Sequence, residues 1–160
     1  VGDEGQGFRY LLDGLNAERI LIAAECVGDG RWFIERASRY ARDRVVFGRP
    51  IGQNQGIQFP IARAYVNVEA ADLMRIRAAD LFDAGDPCGA EANAAKYLGG
   101  EAGFKACEQA VLTHGGMGYA KEYHVERYMR EIMIARIAPV SREMIFNFIG
   151  EKVLGLPRSF

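Results

Sequence analysis

Residues 54–83 read NQGIQFPIARAYVNVEAADLMRIRAADLFD. Within this stretch Ile57, Ile61, Ala64, Val68, Ala71, Arg75, Ala78 and Phe82 recur at alternating steps of four and three. That spacing is the heptad seam of a long bundle helix, with Arg75 as a single polar interruption. The helix is expected to begin near Asn54, to kink at Pro60 in its first two turns, and to end at Ala84-Gly85-Asp86-Pro87.

C-terminal to this seam, a helix is expected from about Gly89 to Thr113. Its residues Ala95, Gly99, Ala102, Ala106 and Ala110 put small side chains on one face, so neighbouring backbones approach closely and the helix belongs in the middle of a bundle. N-terminal to the seam, a helical pattern runs from about Asn16, read as an N-cap with Glu18 in the first turn, to about Asp43. Gly28 and Gly30 weaken that helix without ending it. Residues 1–14 carry many glycines and no period, and read as an extended entry segment. After the glycine-rich break His114-Gly115-Gly116-Met117-Gly118-Tyr119, a short helix from about Tyr123 to Ala135 is expected. Pro139 interrupts the chain, and a last helix runs from Ser141, a good N-cap, to about Val153. No β alternation or hairpin turn stands out after residue 14. The fold class is therefore all-α: residues 15–160 form an antiparallel up-and-down four-helix-type bundle with an extra short helix.

The 160 residues are 49% hydrophobic and 26% charged with a net charge of -1, as expected of one soluble globular domain. Bulk charge recommends neither nucleic acid nor a membrane surface as partner, and no apolar run approaches the ~18 residues of a spanning helix. Cys26, Cys88 and Cys107 lie far apart and read as core residues in a reducing compartment. With only His114 and His124 and no HExxH or His/Cys cluster, a metal site is not expected. The chain starts at Val1 without a signal peptide, and reads as a processed chain or a fragment.

The segment Arg44-Val45-Val46-Phe47-Gly48-Arg49-Pro50-Ile51, with Gln53, Gln55 and Gln58, joins a cation, an aromatic and amide donors between two helices. Such a set suits an anionic, ring-bearing ligand such as a dinucleotide. It equally suits a helix terminus, with Arg42 and Arg44 facing the dipole and Gly48 and Pro50 stopping the helix. Gly115, Gly116 and Gly118 allow close backbone approach to a ligand, or a tight interhelical turn. His114 reads as a local hydrogen-bonding residue more than a general base. Glu18 and Glu143 sit beside helix breaks. Each reads either as a dipole-stabilising residue or, for Glu18 among Leu15, Ile20 and Leu21, as a desolvated base.

Taken together and in order, these segments resemble the C-terminal helical domain of the acyl-CoA dehydrogenases. The carrying segments are Val1–Phe8, Glu18-Arg19, Arg44-x-x-Phe47-Gly48-x-Pro50-Ile51 with Gln55 and Gln58-Phe59, His114–Tyr119, and Glu126-Arg127 with Met129-Arg130-Glu131. The resemblance implies FAD as cofactor, an acyl-CoA thioester as substrate and an electron-transferring flavoprotein as acceptor. It also implies a homotetramer (a dimer of dimers) in the cytoplasm or the mitochondrial matrix, and a missing middle β-domain ahead of residue 14. In such enzymes a base removes the α-proton while the β-hydrogen leaves as hydride to flavin N5. By resemblance Arg44, Phe47, Gln55, Leu112, His114, Gly115, Gly116, Ser141 and Glu143 match cofactor-contacting positions. Several of them would reach FAD held mainly by a neighbouring subunit. Leu15, Asn16, Arg19, Pro139 and Val140 match the substrate side.

Two departures carry information. Most such enzymes place the catalytic Glu where this chain has Pro139. A minority similar to isovaleryl-CoA and long-chain dehydrogenases carry it in the first helix, where Glu18 stands, so Glu18 is the expected base. Pro139 also lacks the N–H that would help hold the thioester carbonyl, a loss worth ~10²–10³ in rate if nothing replaces it. Leu112 replaces a frequent Gln. An alternative is a non-dehydrogenating binding or assembly protein of the same fold. The isolated fragment is expected to be inactive.

Overall fold

A computed structural model describes residues 2–159. Five α-helices follow in order: α1 (Gly7–Asp43), α2 (Gln55–Asp83), α3 (Gly89–His114), α4 (Val125–Ile137) and α5 (Arg142–Phe148), the last continuing as a π turn through Val153. Asn54 precedes α2 and Pro60 lies within its second turn, as the sequence pattern requires.

Three expectations are corrected. Residues 7–14 are helical, not extended: Phe8, Arg9, Tyr10, Leu11 and Leu12 supply helix-compatible side chains between Gly7 and Gly14. Asn16 is consequently no N-cap. It lies inside α1, where its side-chain oxygen accepts a hydrogen bond from Arg19 at 3.0 Å. Glu18 is correspondingly three turns into α1 and not at its entry. Finally, a two-stranded hairpin, β1 (Val45–Val46) and β2 (Arg49–Pro50), joins α1 to α2. Its central residues Phe47 (φ 53°) and Gly48 (φ 77°) are both left-handed, as a type I′ turn demands. The turn escapes sequence reading because a phenylalanine rarely adopts that conformation.

The α3 helix occupies the centre, packed against α1, α2 and α4. Its small-residue face is buried throughout: Ala95, Gly99, Ala102, Ala106 and Ala110. A Cβ on Gly103 would lie 2.9 Å from the Cys26 carbonyl oxygen, and one on Gly99 would lie 3.2 Å from Ala23 Cα. Glycine is thus required where α3 crosses α1. The main core joins Cys26, Val27, Phe33, Val68, Ala71, Cys107, Val125 and Ile132. The three cysteines are buried and unpaired; burial pushes the Cys26 and Cys107 thiols up to about 12.

The polar interruption of the seam has a structural partner. Arg31 of α1 forks onto Glu69 at 2.9 Å and Asp72 at 2.8 Å, and Arg75 bonds the other oxygen of Asp72. Burial opposes ionisation of Asp72, but its bonds to Arg75 and Arg31 outweigh that and hold its carboxyl below the usual range. At the far side, Arg136 of α4 bonds Glu101 of α3 at 2.9 Å. Among the described residues no helix is long and apolar enough to cross a membrane.

Replacing Gly103 with alanine should cost about 1–3 kcal/mol, because the methyl group meets backbone that cannot move aside. A drop in thermal midpoint of about 2–10 °C is the expected reading.

Candidate functional site

The predicted site residues fall into two groups, one in the first half of α1 and one at its C-terminal end. At roughly 1.5 Å per residue, the helical stretch from Glu18 to Asp43 is about 38 Å long.

The first group lies about three turns into α1. Glu18 is exposed and borders an apolar groove of about 280 Å³ that it shares with Leu21, Ile22, Ala138 and Pro139. Leu15 and Asn16 are half-buried along the same helix. The dipole reading of Glu18 loses its basis here, since dipole effects fade beyond the first helical turn. Arg19 is buried. One of its terminal nitrogens donates to Asn16, while its buried Nε has no hydrogen-bond partner. Burial lowers its pKa, opposed by the neighbouring Glu18.

Pro139 and Val140 belong to the turn between α4 and α5. Ser141 caps α5 by accepting from the Met144 N–H at 3.4 Å, as its sequence position suggested. Glu143 is exposed and paired with Arg142 at 2.6 Å, which holds its carboxyl below the usual range. The turn is tied down from below by a residue that the sequence reading missed. Lys96 of α3 is 1% exposed, and its Nζ donates to the Val140 carbonyl oxygen at 2.6 Å. Burial lowers its pKa. The available signal was a lysine set in the small-residue stretch Ala94-Ala95-Lys96 and Gly99-Gly100, where a charge has no obvious solvent exit.

The second group surrounds a cleft of about 420 Å³ at the other end, lined by Arg36, Arg39, Tyr40, Asp43, Arg44, His114, Met117, Glu122, Tyr123 and His124. Arg44 and His114, 70 positions apart in sequence, share it. The rings of Tyr40 and His114 stack at 4.3 Å, and Tyr123 meets both edge-on at 5.9 and 5.6 Å. Buried His114 donates from Nδ1 to the Ala110 carbonyl at 2.7 Å, the local bond anticipated for it. Burial lowers its pKa, and the nearby Arg36 adds to this against the Ala110 bond. Arg39 faces Asp43 at 3.9 Å, whereas among the described residues no carboxylate pairs with Arg44. Arg36, Tyr40 and Tyr123 were not singled out from sequence, because their convergence depends on α1 and the 115–123 turns meeting in space.

Phe47, at the tip of the hairpin that follows Arg44, is 100% exposed. Gln55 is exposed at the start of α2, and Leu112, Gly115 and Gly116 are exposed on the same end. Gly118 is buried, where a Cβ would lie 2.5 Å from the Val111 carbonyl oxygen. Arg44, with no carboxylate partner among the described residues, and the stacked rings of Tyr40 and His114 make this cleft suitable for an anionic, ring-bearing cofactor. Among the described residues no group of His, Cys, Asp and Glu is arranged to hold a metal ion.

The family model for the acyl-CoA dehydrogenase C-terminal domain matches residues 5–154. The chain is 48% identical over 162 aligned residues to acyl-CoA dehydrogenase FadE12 of Mycobacterium tuberculosis H37Rv, covering 100% of this chain and 42% of FadE12. Its fold matches that of a glutaryl-coenzyme A dehydrogenase in complex with glutaryl-CoA, with a TM-score of 0.91, 33% identity, and coverage of 99% of this chain and 40% of that one. An FAD complex of PigA also matches, with a TM-score of 0.91, 28% identity, and coverage of 98% and 40%. The chain thus spans about two-fifths of the length of these relatives.

His114 gives the second group a testable signature. Its folded pKa lies below the unfolded value of about 6.5, so the unfolded state binds more protons just below that pH. Stability should therefore fall as pH drops from about 7 towards about 5. The thermal midpoint of His114→Gln should vary less over this range than that of the unaltered protein.

Proposed function

The chain belongs to the acyl-CoA dehydrogenase family, whose C-terminal domain it matches, and on that premise we propose that it forms part of an enzyme that oxidises an acyl-CoA thioester to the 2-enoyl-CoA. The observation that carries this reading is the groove shared by Glu18 and Pro139. Both positions at which such enzymes carry their base face one apolar space, and here only Glu18 has a carboxylate. Glu18 removes the α-proton of the acyl chain. Leu21, Ile22, Ala138 and Pro139 exclude water from the α- and β-carbons. Arg19, Asn16 and Leu15 border the substrate from α1, with Val140 opposite. FAD, when bound, would supply the acceptor for the β-hydrogen, and an electron-transferring flavoprotein would be the onward electron acceptor.

The cleft at the far end fits the same cofactor from a second copy. There Arg44 would serve the pyrophosphate, Phe47 would pack on the cofactor, and Gln55, His114, Gly115 and Gly116 would help to hold it. The exposed Leu112 adds an apolar contact in place of a frequent glutamine. Ser141 and Glu143 contact the cofactor at the Glu18 end. Because about 38 Å of α1 separates these groups, one chain cannot present both to the same reacting flavin. Two copies together complete each site, which favours a homodimer or a dimer of dimers. A second reading, a binding or assembly protein without dehydrogenation, rests on the missing N–H of Pro139. Bleaching of the flavin by an added acyl-CoA in the full-length protein decides between them.

In that full-length protein, Glu18→Gln should lower α-proton exchange and kcat at least about 10³-fold while FAD stays bound. Unchanged exchange would remove Glu18 from the role. Arg44→Ala and Phe47→Ala should leave the helical content intact and lower retained FAD, read as the flavin-to-protein absorbance ratio after gel filtration. The 160-residue chain alone should turn over no acyl-CoA in the same assay.

A further inference from the structure

We propose that Lys96 is a positioning residue that sets the Pro139–Val140 wall of the groove against Glu18, an inference that rests on reading the groove as the acyl-CoA site. Lys96 extends from the buried face of α3, and its Nζ reaches 44 residues along the chain to the Val140 carbonyl oxygen at 2.6 Å. Val140 adjoins Pro139, which lines the groove with Glu18. No other side-chain hydrogen bond is made to Ala138, Pro139 or Val140 among the described residues.

A buried ammonium is an expensive way to fill space. Desolvation disfavours its charge, and a neutral side chain of equal length would occupy the same volume without that cost. The charged groups acting on it are Arg19, which opposes its charge, and Glu101 and Glu143, which favour it. The group that its Nζ directly contacts is nevertheless the backbone carbonyl. A charge-assisted hydrogen bond to a carbonyl is short and directional. It fixes the height of the turn above α3 and hence the width of the groove on α1. This turn forms the one wall of the groove that does not come from α1 itself. Its position sets the distance between the base and the reacting carbon, where about 1 Å is worth about 10²-fold in rate.

The test uses the full-length, FAD-loaded protein with Lys96→Met, of similar length but without a donor, and Lys96→Gln in parallel. Both should keep the helical circular dichroism and the flavin content of the unaltered protein. Amide hydrogen exchange should accelerate at least about 10-fold in residues 138–144 and stay unchanged in the rest of α3. The kcat for acyl-CoA should fall about 10- to 100-fold with KM changed less than about threefold. Lys96→Arg, which retains a charged donor, should recover part of both effects. Unaltered exchange at 138–144 in Lys96→Met would overturn the proposal. So would loss of fold in both neutral variants, since Lys96 would then support the bundle rather than the turn. If no acyl-CoA bleaches the flavin of the unaltered protein, the reading of the groove fails, while the exchange measurement still decides whether Lys96 anchors the turn.

Discussion

Everything in this bundle hangs on how closely α3 approaches α1. Gly99 and Gly103 let the backbones meet where any Cβ would press on Ala23 or Cys26. That contact places α3 at the centre, so α2 and α4 pack against it and alanines and cysteines close the core around Phe33, Val68 and Ile132. The 37 residues of α1 are long enough to serve two ends of the molecule. The polar ties, Arg31 to Glu69 and Asp72 and Arg136 to Glu101, sit at the edges of this packing and set the register of α2 and α4.

The length of α1 separates the chemistry. The Glu18 end is apolar and shallow, suited to excluding water from a thioester. The Arg44 end is cationic and aromatic, suited to a phosphate-bearing cofactor. Neither end encloses a ligand by itself. Phe8, Leu11, Leu12 and Leu21 along α1, and Phe47 at the hairpin tip, leave large apolar side chains exposed. On the proposed reading these surfaces meet the rest of a longer chain and a second copy of it.

Much of the architecture was legible because its signals were periodic. The seam from Ile57 to Phe82 and the small face from Ala95 to Ala110 each repeat a spacing that only a helix explains, and Ser141 announces α5 as its cap. What stayed hidden depended on contacts between distant segments. The start of α1 was obscured by Gly7 and Gly14, whose helix costs are outweighed along a continuous 37-residue helix. The hairpin was hidden by Phe47, whose left-handed conformation has no sequence signature. Lys96 could not be assigned to Val140, because the partner is a backbone carbonyl 44 residues away. The pairing of Arg44 with His114, and of Glu18 with Pro139, was suggested by family resemblance; residue spacing alone offered neither.

The length of α1 has a genetic corollary. If each site takes its base from one copy and its cofactor cleft from another, damage at the two ends falls on different halves of the shared machinery. A chain altered only at Glu18 still carries a sound Arg44 end, and a chain altered only at Arg44 still carries a sound Glu18 end. Mixed assemblies of two such inactive proteins contain one site that inherits both defects and one that inherits neither. Two null alleles of this gene would then complement each other inside one oligomer, and the helix that keeps the ends apart would be the reason.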